Sequence, residues 1–266
     1  MNEWQSYLDS AVEAARLAGS YQRHRFSSSF RVEMKGDKDL VTEVDRESER
    51  LIVEQLLAHF PGHDILAEEG DYPRSGSSFR WIIDPLDGTT NFAHGFPWFC
   101  VSIGLEADNE LVAGVIFNPI YDELFTATKG CGAFLNGRRL TVSGRSPLRD
   151  TLLGTGFPYD CASDPANNFA NFIAFQKAAR GIRRAGAAAL DLAAVASGRL
   201  DGFWELKLKP WDVAAGVLMV REAGGSVSSF DGTEYSLSSN RIVASNGLIQ
   251  EEMLSMLAMA AAEAAL

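Results

Sequence analysis

Trp81-Ile82-Ile83-Asp84-Pro85-Leu86-Asp87-Gly88-Thr89-Thr90-Asn91-Phe92 is the stretch on which the reading of this chain turns. Three bulky apolar residues in a row read as a short buried strand. The strand runs directly into two carboxylates three residues apart. Pro85 restricts the backbone between them and supplies no N–H. Gly88 permits a tight turn or a positive φ. Thr89 and Thr90 stand where a helix could begin, and free backbone N–H groups at such a start can hold a phosphate. The Thr89 hydroxyl could orient a water. Asp84, Asp87 and the Leu86 carbonyl are hard oxygen ligands, and without His or Cys they suit Mg²⁺ better than Zn²⁺. A bare D-x-x-D is most often an acidic turn. The whole string from Asp84 to Phe92, set at a strand end, is more specific than that.

Outward from this string the pattern is mixed. Trp4, Leu8, Ala11, Ala15 and Ala18 share one face of an N-terminal helix. Val44, Leu51, Ile52 and Leu56 share one side of a helix over 42–59, ended by Pro61-Gly62. Ile65-Leu66-Ala67 reads as a strand and 72–78 as a loop. Strands follow at 101–106, 111–117 and 124–128, and Asn136-Gly137 is a hairpin turn between 133–135 and 139–141. The second half alternates: strands at 152–153, 182–183, 202–204 and 242–245, helices at 167–179, 187–197, 211–223 and 248–265. Strand–helix alternation predicts a sheet covered by helices. The break falls near 145–150, giving subdomains 1–146 and 147–266 within one compact unit. The fold class is α+β, two layered subdomains with a shared cleft.

Composition narrows the function. At 266 residues, 46% hydrophobic and 22% charged, the chain can bury a sizeable core. Asp plus Glu number 35 against 24 Lys plus Arg, a net charge of −11. Such a chain repels nucleic-acid backbone and anionic membrane, and an anionic substrate would need a bound cation to offset the repulsion. No apolar run reaches membrane-spanning length. Glu3, Asp9 and Glu13 exclude a signal peptide from the N-terminal stretch. Cys100, Cys131 and Cys161 are odd in number and widely spaced, which fits neither a disulfide framework nor a zinc site. A reducing cytoplasm is the expected compartment.

The remaining acids are unconvincing one at a time. Glu68-Glu69 before Gly70 reads alone as a solvated loop. Asp212, at the opening of a helix, reads as an N-cap. Asp45, in the string from Asp39 to Asp45, reads as an exposed first-turn acid beside a capping Thr42. His94 reads as a loop residue, and His24, His59 and His63 as surface positions. Glu205 is either a strand-end acid or a cleft residue.

Taken together, these residues carry a resemblance. With Gly156-Phe157-Pro158-Tyr159, the runs 186–192 and 201–205, and Pro210-Trp211-Asp212-Val213-Ala214-Ala215-Gly216, the sequence resembles the bacterial inositol monophosphatases from its first helix to about Gly247. The resemblance implies an α/β/α/β/α sandwich with a metal-lined cleft. It implies Mg²⁺-dependent, lithium-sensitive hydrolysis of inositol-1-phosphate or a similar small polyol phosphate. Glu68 and Asp84 would hold a first metal with the Leu86 carbonyl, and Asp84, Asp87 and Asp212 a second. Asp45, with Glu69 nearby, would approach a third. Gly88 and Thr89 would hold phosphate oxygens, and Thr89 would activate the water in a catalytic set with Glu68 and Asp45. Leu86, Asp87 and Asp212 would also face substrate. Arg183 and the turn Gly186-Ala187-Ala188 would line the substrate side, and Glu205 would accept hydrogen bonds from substrate hydroxyls. Ala187 stands where many relatives have Ser or Thr, so one polar contact is missing.

No Cys or Ser sits in a nucleophile motif and there is no GxxxxGK[ST] loop, so the expected reaction is direct water attack in line with the leaving alcohol. Two Mg²⁺ ions about 3.5–4 Å apart can serve both entering and leaving oxygens. The same metal core serves relatives acting on fructose-1,6-bisphosphate, histidinol phosphate or 3′-phosphoadenosine nucleotides. The resemblance further implies a homodimer. Some bacterial relatives associate with RNA polymerase, a role this acidic composition does not itself support.

Overall fold

Residues 3–36 and 40–264 are described in the structure, a computed structural model. Asp39 of the acidic string and Ala265 at the end of the expected last helix lie outside the described residues. The chain opens with α1 (Gln5–Arg25), a ribbon of β1 (Val32–Met34) and β2 (Leu40–Thr42), and α2 (Glu43–His59). Next come β3 (Asp64–Ala67), β4 (Phe79–Asp87), the single turn α3 (Thr89–Ala93), β5 (Cys100–Ala107), β6 (Glu110–Asn118), β7 (Glu123–Thr128), β8 (Gly132–Leu135) and β9 (Arg138–Arg139). A 3-10 turn at Leu148–Asp150 leads to β10 (Leu152–Thr155), α4 (Phe169–Ala178), β11 (Gly181–Arg183) and α5 (Ala188–Ala196). The chain ends with β12 (Gly202–Leu206), α6 (Pro210–Glu222), β13 (Ser226–Ser228), β14 (Arg241–Ser245) and α7 (Gln250–Ala264). Among the described residues no helix is long and apolar enough to cross a membrane.

Strands β3 to β9 form one sheet in chain order, antiparallel except for β3 beside β4. The second sheet runs β11-β10-β12-β14-β13, parallel across its first three strands and antiparallel across the rest. Helices α1 and α2 cover the outer face of the first sheet, where Ala11, Ala15, Ala18, Ile52 and Leu56 meet Trp81, Ile83 and Val101. Helices α4 and α7 cover the outer face of the second, around Phe175, Trp204 and Met253. Between the sheets lie α5 and α6, giving the five-layered α/β/α/β/α sandwich.

The reason is legible in those two helices. Every residue from Ala188 to Ala196 is buried, and so is every residue from Val213 to Val220. A helix apolar all round must be covered on both sides. α6 lies close against the first sheet because β5 and β6 present glycine there. A Cβ on Gly104 would stand 2.9 Å from the Ala214 Cβ, and one on Gly114 3.1 Å from the Ala215 Cα. The second half of the chain thus covers the sheet made by the first.

Some elements differ from the sequence reading. The ribbon β1–β2 and strand β13 were not expected; at three residues each they are too short to show a period. β4 extends past Ile83 through both aspartates. α6 begins at Pro210, which its fixed φ suits to the first helical turn. His63 is not a surface residue: its ring stacks on Phe60 and Phe79 at 4.9 and 4.7 Å, because those rings offer it apolar faces at the sheet edge.

Candidate functional site

The site begins with a parity problem. Side chains alternate along a strand, so residues three apart face opposite ways. In β4, Asp84 pairs with Ser102 and Asp87 with Cys100: three steps on one strand against two on its neighbour. The extra residue is a β-bulge, and it returns Asp87 to the face that carries Asp84. Pro85 belongs there, since it has no ladder N–H to lose. The bulge is pinned from two directions. Asp84 Oδ1 accepts the Leu86 N–H at 3.0 Å, and Gln22 of α1 donates Nε2 to the Pro85 carbonyl at 2.6 Å. Gly88 then turns the chain with φ 98°, and a Cβ there would meet the Trp98 carbonyl at 2.9 Å.

Thr89 and Asp45 form a buried pair. Thr89 Oγ1 donates to Asp45 Oδ1 at 2.8 Å and also faces the Leu86 carbonyl at 3.1 Å. The other Asp45 oxygen accepts the Thr42 N–H and hydroxyl at 2.9 and 2.5 Å, the capping box of α2. Asp45 is therefore fully buried and not the exposed first-turn acid expected from its local sequence, because Thr89 arrives over it from the other end of the fold. Burial raises its pKa, and the hydrogen bonds from Thr42 and Thr89 oppose that. It stands behind the cleft wall, with both oxygens in use.

A cleft of about 720 Å³ is lined by Glu68, Asp84, Leu86, Asp87, Gly88, Thr89, Gly186, Ala187, Ala188, Glu205 and Asp212, with Lys35, Arg184 and Asp191 among their neighbours. Burial pushes the Asp84 carboxyl well above the ordinary range, and the charges of Glu68, Asp87, Asp212 and Asp45 push it further. Asp87 is pushed up to about 7 by burial first, against the pull of the Ala189 N–H, with Glu68 adding to the rise. That N–H, 2.7 Å from Asp87 Oδ2, opens α5, so Asp87 satisfies one of the helix's free amides. Asp212 is not an N-cap. With α6 starting at Pro210 it lies in the first turn, where Oδ2 accepts the Lys209 N–H at 2.7 Å. Burial raises its pKa well above the usual, with Asp87 and Glu68 contributing.

Glu68 and Glu69 are not a solvated loop. Lys35 of the β1–β2 ribbon reaches both, at 2.9 and 2.5 Å, and Glu49 of α2 accepts the Glu69 N–H at 2.8 Å and the Tyr72 hydroxyl at 3.0 Å. Glu69 points at Lys35 and is absent from the cleft lining; burial lifts its carboxyl to about 7. Burial works to lower the Lys35 pKa, but the charges of Glu68 and Glu69 outweigh it and hold the ammonium charged.

The substrate side needs one correction. Arg183 ends β11, is exposed, and its guanidinium turns back to the Ile182 carbonyl at 3.1 Å. Arg184, the next residue and so facing the other way, lines the cleft instead. Asn91 of α3 donates to the Ala185 carbonyl at 2.9 Å and so ties the 185–188 turn to the aspartate string. Residues the sequence reading passed over are Lys35, Glu49, Gln22, Arg184 and Asp191. Only Asp191 left a signal, as an acid inside an otherwise alanine-rich apolar helix.

Glu68, Asp84, Asp87, Asp212 and the Leu86 carbonyl are all hard oxygen donors. Among the described residues no three His, Cys, Asp or Glu side chains close into an ion cage as they stand. Their fit to a hard divalent cation is one of donor chemistry and of charge: buried carboxylates that repel one another lack positive charge, and such a cation supplies it.

Residues 3–265 match the family described as the inositol monophosphatase family. The inositol-1-monophosphatase of Mesorhizobium japonicum is 46% identical over 250 residues, 93% of this chain and 94% of that one. A Pseudomonas aeruginosa protein named Nus factor SuhB is 49% identical over 249 residues, 91% of this chain and 92% of that one. The solved inositol monophosphatase of Anabaena (Nostoc) superposes with a TM-score of 0.88 at 43% identity, covering 96% of each chain.

Proposed function

The chain belongs to the inositol monophosphatase family, and from that premise we propose that it is a Mg²⁺-dependent phosphatase releasing phosphate from myo-inositol-1-phosphate or a similar small polyol phosphate. The observation that carries this reading is the bulge at Pro85-Leu86, which turns Asp84 and Asp87 together onto a wall shared with Glu68 and Asp212. Glu68, Asp84 and the Leu86 carbonyl would hold one ion, and Asp84, Asp87 and Asp212 would hold a second; Glu69, turned to Lys35, and Asp45, with both oxygens in use, do not line a third position. Mg²⁺ bound there supplies Lewis-acid polarisation of phosphoryl oxygens and a water of lowered pKa.

The protein's own part is orientation. Thr89 donates its hydroxyl hydrogen bond to Asp45, so its lone pairs are free to accept a hydrogen bond from the attacking water. Asp45 is in this reading a positioning residue, acting through Thr89. Gly88 keeps side-chain bulk away from the bend beside the phosphoryl group. Glu205 takes hydrogen bonds from the alcohol, and Arg184 brings positive charge to the rim. The halves 1–146 and 147–266 act as subdomains of one unit, since α5 and α6 bridge both sheets. A homodimer in a reducing cytoplasm completes the proposal.

Phosphate release from inositol-1-phosphate, fructose-1,6-bisphosphate, histidinol phosphate and a 3′-phosphoadenosine nucleotide, with and without Mg²⁺, tests it. The expected result is Mg²⁺-dependent release, fastest from the inositol ester. No release from that ester at saturating Mg²⁺ would refute the reading. Similarity, at 49% identity, to a protein named as a Nus factor favours a second reading, association with the transcription machinery. Pull-down with RNA polymerase and Nus factors tests that independently.

A further inference from the structure

Glu49 is a buried carboxylate of α2 that the mechanism above does not use. It is 3% exposed. Donors converge on it. The Glu69 N–H reaches Oε2 at 2.8 Å, the Tyr72 hydroxyl reaches Oε1 at 3.0 Å, and the Gly70 N–H also favours its charged form. A carboxylate is acceptor-only, so it meets such a set without turning a hydrogen toward a hydrogen. The backbone is cleared for it. A Cβ on Gly70 would stand 2.7 Å from Glu49 Oε1 and 2.7 Å from Tyr72 Cε2, although Gly70 is not in the left-handed region.

What these bonds hold is the end of β3. The parallel register sets Ala67 against Ile83, so Glu68 comes level with Asp84 just where the ladder stops. The Glu69 N–H belongs to the peptide plane that follows Glu68. Fixing that plane fixes ψ of Glu68, and with it the direction in which the Glu68 carboxylate leaves the chain. Lys35 touches that carboxylate at 2.9 Å but bears on the side chain alone. Glu49 stands four residues after Asp45, on the same face of α2. One helix face thus backs the cleft twice, at Thr89 through Asp45 and at Glu68 through Glu49.

We propose that Glu49 is a positioning residue that aims Glu68 at the first metal through the Glu69 N–H. The proposal rests on the Mg²⁺-phosphatase reading and adds a residue that neither lines the cleft nor belongs to that ligand set.

Calorimetric titration with Mg²⁺, beside Mg²⁺ activation of phosphate release, tests it. Glu49→Gln should weaken the tightest Mg²⁺ binding roughly 10- to 100-fold, the scale for a group that orients a metal ligand. At saturating Mg²⁺ its kcat for inositol-1-phosphate should recover most of the wild-type value. Glu49→Gln also removes a negative charge, which by itself weakens cation binding. Gly70→Ala separates the two effects. It keeps every carboxylate and pushes Glu49 Oε1 aside, so it should weaken Mg²⁺ binding in the same direction. Mg²⁺ affinity unchanged in Glu49→Gln, or lowered there and unchanged in Gly70→Ala, would overturn the proposal. A lower Tm with wild-type Mg²⁺ affinity would make Glu49 a residue of the fold alone and overturn it too. If Glu49→Gln does not fold, Gly70→Ala decides by the same measurement. If the wild-type protein releases phosphate without binding Mg²⁺, the functional reading is wrong and the inference falls with it. If the wild type needs Mg²⁺ and the variants bind it equally well, the inference alone fails.

Discussion

Asp87→Asn should make the metal-free protein more stable at alkaline pH while abolishing its activity. In the fold the Asp87 carboxyl titrates near 7; unfolded, it would titrate near its ordinary 3.8. The folded state therefore keeps a proton that the unfolded state has lost. The stability this group contributes is fully present below its unfolded pKa and is lost as pH rises to about 7. At 1.36 kcal/mol per unit, a shift of about three units is about 4 kcal/mol at most. At pH 5 only about one unit of that penalty has developed, so the gap between variant and wild type should widen by about 2–3 kcal/mol from pH 5 to pH 8. Asn retains an oxygen for the Ala189 N–H, so the start of α5 need not be lost. Urea unfolding in EDTA at both pH values measures the gap. Adding Mg²⁺ should reverse the order at pH 8, because a ligand stabilises the protein that binds it more tightly. A gap that does not change with pH, or a variant less stable than wild type at pH 8 in EDTA, would refute the claim that burial outweighs the Ala189 hydrogen bond at Asp87.

Three further outcomes follow from the same geometry. Thr89→Ala should lower kcat for phosphate release by about 10²–10³, the scale seen when one preorganised polar contact is removed, and Thr89→Ser should recover most of it; equal loss in both would mean that the methyl group and not the hydroxyl matters. Gly88→Ala forces a Cβ to 2.9 Å from the Trp98 carbonyl at φ 98°. It should cost about 2–3 kcal/mol, read as a Tm lower by roughly 5–10 °C, whereas an unchanged Tm would show that the bend is not held. Li⁺ should inhibit at millimolar levels under limiting Mg²⁺, by taking the Asp84–Asp87–Asp212 position with half the charge; initial rates indifferent to Li⁺ would count against that assignment.

Much of this was legible in the sequence because the signals are local. The strand before Asp84, the turn at Gly88 and the hairpin at Asn136-Gly137 each depend on a few neighbouring residues. The errors share a cause too. Asp45 does sit in the first turn of a helix beside Thr42, as its neighbours indicate, but its burial depends on Thr89, 44 residues away. Glu68 and Glu69 read as loop because Lys35, at 33 and 34 residues' distance, is invisible to a local window. Arg183 and Arg184 differ by one step of strand phase, and a strand of three residues is too short to set that phase.

The two aspartates of the central string show how a correct residue choice can hide a different geometry. Read as a strand ending at Ile83, the string needs its turn to bring Asp84 and Asp87 together. The structure instead carries the strand through both and restores their common face with one bulged residue. The distinction matters for what each neighbour does. In a free turn, Pro85 would stiffen a loop. In a bulge, it occupies the place where a missing N–H costs nothing, and its carbonyl becomes the grip by which Gln22 fixes the bulge to α1. The first helix thereby reaches the chemistry without lining the cleft, and Asp87 extends the connection by holding the first turn of α5. Elements from both halves of the chain converge on three residues of one strand. The outer layer α1 and the central layer α5 are tied to the same bulge, so the carboxylates are held in place by the packing of the sandwich and not by their loop.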